Sequence, residues 1–227
     1  MREFFSDMML VRSKGYGPPD YDPHILPFDM TDFVGWHHLF CLKKGKKLIP
    51  FGSFKQITLE TRDAYRIEFP LEAVAKETHA TEHLQAIDEL LQQSRTNHQP
   101  VIYGGSWSID KTLRADKVFS QTMREVFAAL IALDFIERKA HTALGFGALR
   151  FKTDHFFKSL GYDRLKHNGT ILPPLVIKHA NDEPVVMVKM TELSPWARQC
   201  YKKNQFTLRS RIMMGGPLEE STIRKAA

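Results

Sequence analysis

Two short stretches of this 227-residue chain carry residue types whose spacing could do chemistry. The first is His79-Ala-Thr-Glu-His83. If the run around it is one helix, the two histidines share a face and Glu82 stands beside them to polarise a metal-bound water, as in the H-x-x-E-H zinc hydrolases. With only three fixed positions and ten histidines in the chain, coincidence competes with chemistry. The same run also reads as an amphipathic helix with Leu84, Ile87, Leu90 and Leu91 inward. The expectation is therefore no metal, with a zinc hydrolase using His79, Glu82 and His83 as an alternative. The second stretch runs from Lys111 to Phe119, where Lys111, Arg114 and Lys117, followed by Arg124, surround the start of a helix. It has no glycine, so backbone amides there cannot close on a pyrophosphate, and Asp116 adds a repelling charge. What remains is point-charge attraction to an acidic surface, or simply a solvated basic helix start.

The elements that must hold these residues are set by periodicity. Tyr103 to Asp110 reads as an extended run, and a helix from Ser120 to Arg138 has Phe119, Met123, Phe127, Leu130 and Leu133 on its inner face. His141 to Phe146 is a second extended run, so the order strand, helix, strand predicts a parallel crossover. A helix from Leu149 to Leu160 ends at Gly161, suited to a left-handed cap. Upstream, Val34 to Leu42 and Leu48 to Leu59 form a hairpin about the turn Lys43-Lys-Gly-Lys-Lys47. Ala64 to Phe69 is read as a further strand, and Pro70 opens a helical pattern from Leu71 to Gln93. Leu175 to Lys178 and Val185 to Met190 read as late strands. From Ser194 the chain turns helical, with Trp196, Tyr201 and Phe206 as anchors. Met1 to Asp29 is rich in aromatics, glycine and proline, and Gly15-Tyr-Gly-Pro-Pro19 marks an irregular loop.

The order of elements from Tyr103 onward, closing on Phe157-Lys158-Ser159-Leu160-Gly161-Tyr162, resembles the acyltransferase core of the GNAT superfamily. Leu10-Val11-Arg12, Tyr16, Asp20-Tyr21-Asp22 and the strand pair from Leu39 to Ile57 are similar to the autoinducer (acyl-homoserine lactone) synthases and the long-chain N-acyl amino acid synthases, a likeness spanning residues 10 to 165. The resemblance implies an α/β fold: one domain over residues 1–210, with helices on both faces of a mixed, twisted sheet whose two central parallel strands splay apart. Residues 211–227 are expected to be a mobile tail. It implies a bacterial cytoplasmic acyltransferase that moves a fatty-acyl group from acyl carrier protein to the amine of an amino acid or related small molecule. An acetyl-CoA-dependent N-acetyltransferase and a non-catalytic acyl-chain or protein-binding domain are the alternatives.

The resemblance also implies the site. Tyr103 falls where the synthases carry a catalytic glutamate, and Asp110 is the nearest carboxylate. The acyl chain and pantetheine would lie between Ser106-Trp107-Ser108 and the strand bearing Thr142 and Leu144. Lys111, Arg114, Lys117 and Arg124 would receive the carrier protein. Arg12, Asp22 and Lys55 would bind the acceptor, under an N-terminal segment that folds over the site. Lys55 stands near an arginine of the synthases, keeping the charge and losing the bidentate fork. No resident cofactor is implied; the donor is acyl-phosphopantetheine, with CoA possible.

Composition is consistent with this reading. A net charge of +6 and a pI near 9.3 call for an acidic partner. The cations are scattered without a nucleic-acid-binding motif, which disfavours that class. Only Cys41 and Cys200 are present, so neither a disulfide framework nor a cysteine metal site is supported. The start of the chain lacks a signal peptide's apolar core, and the apolar run from Val126 to Leu133 is too short to span a bilayer. A soluble protein of a reducing cytoplasm is expected.

Overall fold

The computed structural model describes residues 2–16, 28–44, 47–178 and 182–209. The chain opens with α1 (Arg2–Tyr16) and a 3₁₀ turn (Met30–Phe33), then a hairpin of β1 (Trp36–Lys44) and β2 (Lys47–Thr58). Three helices come next, α2 (Leu59–Tyr65), α3 (Pro70–Glu77) and α4 (Thr81–Thr96). After them stand β3 (Val101–Ile109), the single turn α5 (Lys111–Arg114), the long α6 (Lys117–Glu137), β4 (Thr142–Ala148) and α7 (Thr153–Leu160). The remainder is β5 (Asp163–Arg164), β6 (Lys166–His167), β7 (Thr170–Ile171), β8 (Leu175–Ile177), β9 (Glu183–Met190) and α8 (Pro195–Arg209).

The main sheet runs β1-β2-β3-β4-β9-β5, with β8 also on β9, while β6 and β7 pair separately. Every pairing is antiparallel except β3 with β4. The crossover expected from periodicity is present, because α6 lays Met123, Phe127, Leu130 and Leu133 into the core on one sheet face together with residues of α7 and α8. On the other face α3 and α4 pack Leu71, Val74, Ile87 and Leu91 against Ile57, Val101, Tyr103 and Leu144. The two faces are thus covered by different helices, and the sheet between them is twisted and mixed. α7 closes at Gly161 with φ +112, where a Cβ would stand 2.3 Å from the Glu192 carbonyl oxygen. Only glycine is accommodated there.

Four sequence expectations change. The N-terminal segment is helical, because Met8, Val11, Arg12 and Gly15 recur at steps of three and four on the buried side of α1. Residues 64–69 form no strand: the Thr58 hydroxyl accepts from the Thr61 amide and starts α2, and Arg66 ends it with φ 52. The pattern from Leu71 to Gln93 is two helices, broken where His79 adopts φ 53. Phe206 is no anchor, being 85 % exposed, whereas Trp196 and Tyr201 pack against the core. The expected tail and Asp22 lie outside the described residues.

Candidate active site

β3 and β4 are paired only over Val101–Thr142, Ile102–Ala143 and Tyr103–Leu144. Past that point each strand keeps its outer partner, β2 or β9, and the two part. A bulge in β3 drives the separation. Lys55 faces Gly105 and Ser53 faces Ser108, so β3 spends one residue more than β2, and Ser106 sits at φ 55. A left-handed residue in a bulge bends its strand and shifts the phase of the residues beyond it. Trp107 is thereby turned onto the α6 face, where it stacks on Phe127 at 4.6 Å and meets Phe156 at 4.8 Å.

The fork is a cleft of about 190 Å³, lined on the β3 side by Gly105 to Ile109 and on the other by Phe146, Ala148, Phe151, Thr153 and Phe157. Gly15 and Arg114 complete it. That volume lies below the roughly 300–1,000 Å³ of ordinary small-molecule pockets, which suits a narrow, linear ligand. In this stretch the backbone edges of β3 and β4 face each other without pairing, so their amides and carbonyls can serve such a ligand.

The N-terminal helix is stapled over the fork. The Ser108 hydroxyl donates to the Val11 carbonyl at 2.9 Å, and Arg114 Nη2 donates to the Gly15 carbonyl at 2.9 Å. Gly15 is pressed so close that a Cβ would lie 2.0 Å from Ser108 Oγ. One turn earlier, Arg12 is fully buried and donates from Nη1 to Asp32 Oδ1 at 2.6 Å. The same Asp32 oxygen lies 2.9 Å from Nζ of Lys55, also fully buried, which donates to both oxygens of Asp29 at 2.9 and 3.0 Å. Asp32 Oδ2 accepts from the Asp29 amide at 2.7 Å.

Four charges therefore sit in one buried network, with the Asp29 side chain 45 % exposed as its outlet. Burial alone would raise the Asp29 carboxyl, but the Lys55 charge and the hydrogen bonds from Thr31 and Lys55 outweigh it and hold it below its ordinary range. His37 lies across β1–β2 from Lys55, and its Nε2 meets the Asp32 carbonyl oxygen at 2.8 Å. Burial, with a contribution from the charge of Arg12, pushes His37 down to about 4, so the ring is neutral and Nε2 carries the proton. None of the four charged residues lines the cleft, but two stand next to residues that do: Arg12 is one helical turn from Gly15, and Lys55 pairs with Gly105.

No protein-family model and no curated protein sequence matches the chain. Among solved structures, the N-acyl amino acid synthase FeeM from uncultured soil microbes superposes over 91 % of this chain and 93 % of its own, at 15 % identity and TM-score 0.51. The fold is GNAT-like. The AHL synthase LasI superposes over 83 % of each chain at 14 % identity and TM-score 0.49.

In this GNAT-like frame the residues singled out in the sequence fall into distinct places. Ser106 and Trp107 line the cleft, and so does Ser108 while it staples α1. Thr142 and Leu144 do not: both are buried in the paired base, because the fork opens after them rather than at them. Tyr103 also belongs to the base, 1 % exposed, stacked on Phe69 at 5.7 Å with its hydroxyl over Gly105, and it does not line the cleft. The Asp110 carboxylate caps α5 through the Thr112 amide at 3.0 Å and hydroxyl at 2.8 Å. Those bonds hold it below its ordinary range.

Of the basic residues, Arg114 lines the cleft and Lys117 is exposed, whereas Arg124 lies over Phe156 and Trp196 at 5.4 and 5.9 Å. Arg12 and Lys55 come together through Asp32. Sequence reasoning missed Asp29 and Asp32, whose i, i+3 spacing marks a capped turn: Asp29 accepts from the Thr31 amide, and Asp32 reaches back to the Asp29 amide. The histidine pair is separated, since His79 precedes α4 while His83 Nε2 meets the Pro173 carbonyl oxygen at 3.0 Å. Among the described residues no group of three His, Cys, Asp or Glu could hold a metal, and no helix is long and apolar enough to cross a membrane.

Proposed function

We propose that the protein is an acyltransferase that moves a fatty-acyl group from the phosphopantetheine thioester of acyl carrier protein to the amine of an amino acid. The observation that carries this reading is the narrow fork between β3 and β4, apolar on its α6 side and edged by unpaired backbone. Such a slot accepts an extended pantetheine arm as a sheet edge accepts an added strand. The thioester carbonyl then lies against β3 amides that stabilise its developing charge. The acceptor's ammonium first releases one proton to solvent; the neutral nitrogen then forms a bond to the carbonyl carbon, the carbon–sulfur bond breaks, and the sulfur leaves as a thiol carrying the second proton lost by nitrogen. The network beside the fork suits a zwitterionic acceptor: Asp29, ionised and half exposed, can meet an ammonium, while Arg12 and Lys55 supply positive potential for a carboxylate.

The carrier protein is favoured over CoA by the start of α6. The Asp116 carboxylate there accepts from the Val118 and Phe119 amides at 2.9 and 3.0 Å, so its own negative charge occupies the helix end that a pyrophosphate would need. The test is turnover with acyl carrier protein or acyl-CoA as donor and an amino acid mixture as acceptor, read by mass spectrometry of N-acyl products and by thiol release. Carrier-dependent N-acyl amino acids, with a Michaelis constant for carrier that rises with salt and with Lys117→Glu, support the proposal. Equal use of both donors refutes the carrier assignment, and thiol release without an acylated amine refutes the acceptor.

A further inference from the structure

At the rim formed by β4 and α7, Glu183 is buried to 2 % of its side chain and Arg150 is 42 % exposed. Arg150 Nε lies 2.8 Å from Glu183 Oε2, and the Arg150 amide donates to Glu183 Oε1 at 3.0 Å. The guanidinium lies over the ring of Phe151 at 4.6 Å, and Phe151 lines the cleft with Ala148 and Thr153. The next residue of β9, Pro184, accepts from the Leu149 amide at 2.9 Å, so the loop bearing Arg150 is pinned at two successive positions. A buried carboxylate is costly unless paired, and here it fixes a partly exposed arginine in one orientation at the mouth of the fork. On the other side of the same cleft stands Arg114.

Arg114 in the lining of the slot and Arg150 against Phe151 at its rim place two guanidinium groups where a linear ligand could bring an anion. A guanidinium is suited to a phosphate because its planar fork donates two parallel hydrogen bonds. We propose that Arg150, oriented by Glu183 and stacked on Phe151, binds the 4′-phosphate of the pantetheine arm at the cleft mouth. The assignment rests on the acyl-thioester reading above and names a binding residue that reading does not use.

Calorimetric titration with 4′-phosphopantetheine and with pantetheine tests it without any turnover. The wild-type protein should bind the phosphorylated compound about tenfold more tightly, as expected for one charge-assisted contact. Arg150→Gln should abolish that preference and leave the pantetheine affinity unchanged, and Arg150→Lys should restore part of it. The double change Arg150→Gln with Glu183→Gln removes the buried charge together with its partner, so the result does not depend on the single variant folding. Weakening of both holo-carrier protein and CoA by Arg150→Gln identifies the shared phosphate, whereas a loss confined to CoA overturns the assignment. If both compounds bind the wild type without preference, the proposal fails while the fork remains a pantetheine site. If neither binds, the acyl-thioester reading fails and takes this proposal with it.

Discussion

Asp32 is the residue whose removal should cost this fold most for the fewest atoms changed. It holds two buried cations, Arg12 Nη1 at 2.6 Å and Lys55 Nζ at 2.9 Å, and both partners are fully buried. Asp32→Asn keeps the shape and removes the charge, leaving Asp29, 45 % exposed, as the nearer anion to Lys55. Removing one member of a buried ion pair costs about 3–5 kcal/mol, because the surviving charge stays out of water. A folded chain has about 5–15 kcal/mol in total, so the variant should stand near its folding threshold. For a chain of this length each kcal/mol moves the melting temperature by about 2–4 °C, which gives a loss on the order of 6–20 °C. Urea unfolding monitored by tryptophan fluorescence should show a lower midpoint with an unchanged slope. Adding Lys55→Met should recover much of the loss, since neutralising both charges removes the imbalance. A change below about 1 kcal/mol, the range of exposed pairs, would refute the argument by showing that water reaches the network.

The same geometry makes three further outcomes testable. His37 is pushed down to about 4 in the fold, so between pH 6.5 and about 4 the unfolded chain takes up a proton that the folded one refuses. Stability should therefore fall as pH drops through that window, and His37→Gln should flatten the pH dependence of the urea midpoint; an unchanged profile sinks the assignment. Ser106 holds φ 55, where a side chain costs roughly 1 kcal/mol or more. Ser106→Gly should match or exceed the wild type in urea unfolding, whereas Ser106→Val should lose over ~1 kcal/mol; the reverse order would mean that the bulge does not impose this backbone. Asp116→Ser keeps a helix cap and removes its charge, so steady-state assays should show a lower Michaelis constant for acyl-CoA and little change for carrier protein. No gain with acyl-CoA would mean that Asp116 does not set donor choice.

Strong periodic signals made the crossover and the late strands legible: α6 repeats Met123, Phe127 and Leu130 on one face, and Gly161 has no alternative at its left-handed cap. The fork was harder to place. Its position depends on one extra residue in β3 at Ser106, and a serine in a left-handed bulge leaves no mark in composition. The expected fork therefore began three residues early on β4, at Thr142 instead of after Leu144. The N-terminal helix was obscured by the prolines beyond its end, although Met8, Val11, Arg12 and Gly15 already carried its stripe. Arg12 and Lys55 were recognisable as a pair only through resemblance, because what joins them is the turn Asp29–Asp32, contributed from a different part of the chain. Tyr103 is apolar in context: Phe69 and Phe146 surround its ring at 5.7 and 6.3 Å, and that environment is set by tertiary packing.

The most direct test of the central claim, that the fork between β3 and β4 receives an acyl thioester, is photolabelling. The probe is an acyl-pantetheine ketone, in which a methylene replaces the thioester sulfur, bearing a diazirine on its acyl chain. The labelled peptides are then mapped by mass spectrometry. Labels should fall on Trp107, Phe146 and Phe157, be displaced by excess unlabelled ketone, and be lost when Ala148→Leu narrows the cleft that Ala148 lines. Labelling spread over the outer surface, or undisplaced by competitor, would contradict the account.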